Sequence, residues 1–358
     1  MKTLRTVRVR LLQPHPDGAE YIGVMLLAPP RSTFRLPPGW PFAAAFVGLA
    51  VVAAVVCGLF PVGVSIAAVF LFAGPHNWFE ARYILGRLPA RTGKLWAFFL
   101  VSFAGIVGLT AWFALLPWLY EQPVFGNYSA EVIPAWTSTL VLWIATLVWM
   151  RSRTAPRFDG GWVWAVACGL VAVAWLVPWL LPVALVYVHP LMALWLLGRE
   201  LRRSHRLWLP AYRFALLAMP VLFAGLVFTL WSAEDLPGTD PLTAAITRHS
   251  GAESVTFVSN RLLVAAHTFL ELVHYGVWVV LMPMVGLKTA PWDTTSIPAA
   301  RRGGNWTRGV VVLLCVGLFI TGVLWVAFGV DYSTTRSVYF TVALLHVLAE
   351  VPFLLRML

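Results

Sequence analysis

A chain of 358 residues that is 60% hydrophobic and only 11% charged, with 19 tryptophans and a mean hydropathy of +0.79, lies outside the range of soluble domains. Its formal net charge of +11 would suit nucleic acid if the basic side chains shared one face, but they fall in short stretches between apolar segments; this excludes a nucleic-acid partner and reports membrane orientation instead. Cys57, Cys168 and Cys315 sit singly in apolar stretches without a CxxC spacing, which excludes a disulfide framework and a thiolate metal site.

Residues 1–40 are polar and basic, contain Pro29, Pro30, Pro37 and Pro38, and lack the early apolar run of a cleavable signal, so we read them as a basic cytoplasmic tail lying against anionic lipid. Residues 41–358 read as a single all-α transmembrane domain, a polytopic helical bundle of about ten membrane spans. The first covers 41–59. The second, 62–85, contains His76 and Glu80 and is followed by Arg82, Arg87, Arg91 and Lys94. The third, 95–119, leads instead to Glu121 and Glu131. Spans at 133–150, 161–180 and 181–197 come next, the last carrying His189 ahead of Pro190; Pro178 and Pro182 mark the join between the fifth and sixth. After a seventh span at 211–231, residues 232–256 form the longest outer connection, with Glu234, Asp235, Asp240 and Glu253. Asp240 followed by Pro241 has the form of a helix start, which makes this connection either a short lid or a solvated loop. The eighth span, 257–287, holds His267, Glu271 and His274. Spans at 310–330 and 338–358 complete the chain, and the last carries His346 and Glu350. Arginine-rich and acidic connections alternate, which places both termini in the cytoplasm of a multi-pass protein; the expected location is a bacterial inner membrane.

Three spans thus repeat a histidine with a glutamate four residues later, a spacing that puts both groups on one helix face. Ionisable side chains inside apolar spans are costly and mark interior functional sites. The three spans run in the same direction, so their polar groups converge on one level, with His189 as a more peripheral fourth contributor. Imidazole and carboxylate together suit a first-row transition metal, one ion or two, with iron the leading choice and zinc the alternative. We read His76, His267, His274 and His346 as ligands, with His189 added and Glu271 as a direct or bridging ligand between His267 and His274. Glu80, Glu271 and Glu350 are the candidate catalytic carboxylates; each either binds metal or accepts the ring N–H of the histidine on its own helix. The spacing matches neither Glu-x-x-His nor HExxH. Arg82 and Arg261 mark interfaces, with pairings of Arg82 to Glu80 and of Arg261 to the outer lid as the alternatives. Trp118, Trp149, Trp179 and Trp208 belong to interfacial belts.

Around His76 the chain reads Gly74-Pro75-His76-Asn77-Trp78-Phe79-Glu80. A Pro-His step followed at four residues by an acid resembles the first histidine motif of the Brp/Blh family of membrane carotene-cleaving dioxygenases, Pro-His-Gly-x-x-Asp, with Asn77 in place of the glycine and Glu80 in place of the aspartate. The resemblance covers residues 75–80 and implies an all-helical membrane enzyme whose histidines hold one iron and open a lipid-soluble polyene with O₂. On this basis His76 is a ligand and Glu80 its supporting carboxylate. The expected function is a metal-dependent membrane oxidoreductase, an iron oxygenase or oxidase acting on a carotenoid or other lipid. A zinc-dependent lipid hydrolase is the first alternative, and a proton- or cation-coupled transporter using a His/Glu relay is the alternative from another class. A haem protein with axial histidines is disfavoured by the carboxylates.

Overall fold

The computed structural model describes residues 38–89, 93–121, 129–154, 160–238, 240–287 and 290–357; the basic tail expected at 1–40 lies almost wholly outside them. The regular structure of the described residues is all helical, with no strand among them. In chain order the helices are α1 (Trp40–Leu59), α2 (Pro61–Arg87), α3 (Trp96–Glu121), α4 (Ser129–Thr154), α5 (Val163–Leu176), α6 (Leu180–Ser204), α7 (Leu209–Ala215), α8 (Ala218–Leu230), α9 (Pro241–His249), α10 (Asn260–Gly276), α11 (Met282–Val285), α12 (Asn305–Val330) and α13 (Tyr332–Met357).

Among the described residues, nine helical segments are long and apolar enough to cross a membrane, with α7 and α8 forming one of them and α10 and α11 another. The fifth expected span is the 14-residue α5, about 21 Å long against a hydrocarbon core of about 30 Å. The seventh is interrupted at Leu216 and Leu217. Pro220 has no N–H to offer the Leu216 carbonyl, which accepts instead from Met219 N at 3.1 Å. A π-helical turn, Val277–Leu281, joins α10 to α11. Asp240 does start α9: its carboxylate accepts from Thr243 N at 2.8 Å, and Pro241 fills the first helical position.

Two cores flank the interior. The larger joins α1, α2, α6, α7, α8 and α10 around Phe46, Tyr212, Phe269 and Trp278; the smaller joins α3, α4 and α13 around Phe98, Trp136, Trp143 and Leu348. Large apolar side chains such as Phe228, Phe319 and Val330 are exposed, as a lipid-facing surface requires. Helices approach closely where side chains are absent. A Cβ on Gly105 would overlap the Trp143 indole, whose N–H donates to Val101 O at 3.0 Å, whereas Gly108, one turn on, faces open space. Gly105→Ala is therefore expected to lower stability by about 1–3 kcal/mol. Thermal denaturation in detergent, with Gly108→Ala as the unaffected reference, checks this.

The C-terminal ends of α2, α6 and α13 are clamped together. The buried Glu200 on α6 accepts from Arg87 Nη2 at 2.7 Å and Tyr83 OH at 3.0 Å on α2, and from Arg203 Nη2 at 2.7 Å; the Arg356 guanidinium on α13 donates to Arg87 O. α10 runs the same way as α6, since Tyr187 near the start of α6 donates to Leu263 O near the start of α10 at 3.1 Å. Arg82 turns away from Glu80. The pairing expected as the alternative is therefore not formed; Arg82 donates to Pro291 O at 2.6 Å, Asp293 O at 2.6 Å and Ser296 Oγ at 2.7 Å, holding the segment after α11.

A buried histidine and glutamate site

Counting back from the clamp places the interior histidines. His76 precedes Arg87, and His189 precedes Glu200, by eleven residues; His346 precedes Arg356 by ten; and His274 precedes Gly286, which packs by Glu200 and Tyr83, by twelve. At about 1.5 Å per residue each lies some 15–18 Å from the same end, so four parallel helices deliver four imidazoles to one level.

At that level His76, Glu80, His274 and His346 offer ligand atoms that all lie within 4.8 Å of one another. The rings of His76 and His274 are 5.4 Å apart by centroid, and those of His76 and His346 5.3 Å. His189 closes the circle, 5.0 Å from His274 and 5.3 Å from His346. The expected convergence of these residues is thus what the bundle presents. His267 and Glu271, expected as ligands, stand outside this tight group. His267 packs on His249 at 5.1 Å and Tyr187 at 5.9 Å, and Glu271 accepts from Tyr275 OH at 2.7 Å.

Ring orientation comes from backbone carbonyls and from neighbouring helices. His76 Nδ1 faces Phe72 O at 3.0 Å, and His274 Nδ1 faces Pro190 O at 3.3 Å. A carbonyl can only accept, so each Nδ1 carries its proton and each Nε2 is left with a free lone pair. None of the three glutamates is hydrogen-bonded to the histidine four residues before it. Glu350 meets His189 Nδ1 at 3.2 Å instead, across from α13 to α6, because its face of α13 is turned toward that helix.

Several buried polar atoms here meet no hydrogen-bond geometry, although Glu80 has the Glu350 carboxyl as a neighbour: both carboxylate oxygens of Glu80, Nε2 of His274 and both ring nitrogens of His346. Leaving a buried polar atom unsatisfied costs about 1–3 kcal/mol, and these five belong to three residues of one group. Three imidazoles and a carboxylate are electron-pair donors of the kind that first-row transition-metal ions take. The donor set, three imidazoles and a carboxylate gathered within 4.8 Å, fits such an ion in kind and number.

A cavity of about 280 Å³ adjoins the group. Its apolar wall includes Phe113, Trp136, Leu185, Val186, Leu344 and Val347, from α3, α4, α6 and α13. Its other wall is polar, formed by His249, His267, Glu271, Tyr275 and Tyr339. Over it lies α9, whose His249 ring packs 4.2 Å from Phe340, itself 4.6 Å beneath the Arg336 guanidinium. Burial, reinforced by His267 and Arg336, pushes the His249 imidazole well below its ordinary range, so it is neutral at pH 7.

His249, Tyr275 and Tyr339 were not singled out from sequence. Tyr275 had a usable signal, being four residues after Glu271 on the same face. His249 had half of one: its helix start was legible, its inward aim was not. Comparison of the chain with protein-family models, with curated proteins and with solved structures returns no match.

Proposed function

We propose that this protein is a membrane-embedded, metal-dependent oxidoreductase, an iron oxygenase or oxidase acting on a lipophilic substrate such as a carotenoid or other lipid. The observation that carries the reading is the group of His76, Glu80, His274 and His346, gathered at one level with five polar atoms that make no hydrogen bond. The ion would supply the site for O₂ and the redox chemistry. His76, His274 and His346 would hold it by their ring nitrogens, with Glu80 as the carboxylate ligand and His189 as a further imidazole. Glu350 steadies His189, and Phe72 and Pro190 fix the tautomers of His76 and His274 through their carbonyls. The 280 Å³ cavity would receive an apolar segment of substrate against Trp136 and Leu344, where water is poorly accommodated. Glu271, bonded to Tyr275 and lining the same cavity, is placed for proton handling rather than for holding the ion. The resemblance of Pro75-His76 and Glu80 to the carotene-cleaving family's motif supports the same class of chemistry. By the alternation of arginine-rich and acidic connections, the clamped end faces the cytoplasm.

Metal analysis of the purified protein tests this reading. Iron in stoichiometric amount, with lipid oxidation that stops without O₂, is the expected result. Zinc with O₂-independent ester or amide cleavage would replace the chemistry and keep the site; metal-free protein that is fully folded and drives solute accumulation in proteoliposomes would overturn both in favour of transport.

A further inference from the structure

A second feature lies on the opposite flank of α6. Two cavities, of about 1080 Å³ and 450 Å³, share Leu191 and Met219 in their walls and so adjoin along the furrow between α6 and the α7–α8 pair. The wide part is lined by Val188, Phe223, Val227 and Phe228, and is almost wholly apolar. The narrow part runs over Gly198 and Tyr212 and ends among Arg199, Arg202 and Arg213. A Cβ on Gly198 would come within 3.2 Å of the Tyr212 ring, so the missing side chain is what lets the two walls approach; Tyr212 is held by a bond to Leu194 O at 2.8 Å. The arginines are not consumed by the protein in the same way. Arg199 donates to Met357 O and lies over Trp195, whereas Arg202 and Arg213 are exposed and bond to nothing among the described residues.

We propose that this furrow is a binding site for one anionic phospholipid, its phosphate among the three guanidinium groups and its acyl chains in the wide part. Charge complementarity selects the headgroup, since three cations at the mouth of an apolar channel would repel a cationic lipid and gain little from a zwitterionic one. The dimensions select a lipid over a small anion. Arg202 stands eleven residues from Leu191, about 16 Å along α6, close to the half-thickness of a hydrocarbon core of about 30 Å. A chain entering from the arginine end therefore reaches the wide cavity at the depth where acyl tails lie. Guanidinium supplies the bidentate donors that a phosphate oxygen pair accepts. This site is independent of the proposed metal chemistry, because His189 and Pro190 face the other cavity.

The test is native mass spectrometry of the intact protein released from nanodiscs of equal phosphatidylglycerol and phosphatidylcholine. One phosphatidylglycerol should be retained over phosphatidylcholine by about tenfold or more, at roughly fivefold per engaged arginine. The double variant Arg202→Gln/Arg213→Gln should lose that preference, with metal content and thermal midpoint unchanged because both side chains are exposed. Val227→Trp, which fills the wide part, should reduce retention of both lipids. Equal retention of the two lipids by the wild type, or a preference that survives the double variant, overturns the proposal. So does displacement of the lipid by millimolar inorganic phosphate, which would make this a site for the free anion.

Discussion

If the proposed metal site is right, His346→Ala should abolish metal binding while leaving the bundle folded. His346 has no hydrogen bond through either ring nitrogen, so its removal costs no internal partner, yet it is one of the four residues whose donor atoms converge within 4.8 Å. Loss of residues that merely orient metal ligands typically costs 10–100-fold in affinity, so losing a ligand itself should cost about 100-fold or more. Competition with a chromophoric chelator measures this directly. His267→Ala is the informative partner variant: His267 is the same residue type and shares the cavity but stands outside the tight group, so it should retain near-wild-type affinity. If both variants lose metal alike, the ligand set drawn from the geometry is wrong.

The second large effect concerns stability. Glu200→Ala removes the buried carboxylate that receives Arg87, Arg203 and Tyr83, and strands the Arg87 guanidinium, which is about four-fifths buried. Breaking a buried ion pair from one side costs about 3–5 kcal/mol, because the surviving charge loses its compensation. The Arg203 contact adds little, being largely exposed. Denaturant titration of the purified protein should show the loss. The variant should also lose metal affinity although Glu200 is eleven residues from His189, since the clamp sets the relative height of α2, α6 and α13. A Glu200→Ala protein with unchanged stability would mean that the helices are held by apolar packing alone.

Much of this arrangement was legible in the chain. Apolar length and the His/Glu spacing located the helices and marked His76, Glu80, His274 and His346, because buried ionisable groups are conspicuous against a hydrophobic background. What spacing cannot give is rotation. Residues four apart share a face, but whether that face meets the centre or the neighbouring helix depends on packing. Glu350 therefore turns to His189 on α6 rather than to His346, and Glu271 to Tyr275 rather than to a ligand position. Backbone acceptors were invisible for the same reason: Phe72 O and Pro190 O orient rings although nothing in their residue type announces it. Arg82 illustrates a further gap, since its three acceptors lie more than two hundred residues away in sequence.

The clamp joining Arg87, Glu200 and Arg356 also dictates where the chain tolerates changes in length. Each added residue turns a helix by about 100° and advances it by about 1.5 Å. One residue inserted between His346 and Arg356 would keep the clamp only by swinging the imidazole away from the other three, or keep the imidazole only by unlatching the end. Indels in the ten or eleven positions between site and clamp on α2, α6 and α13 are therefore paired events, needing compensation on the same helix.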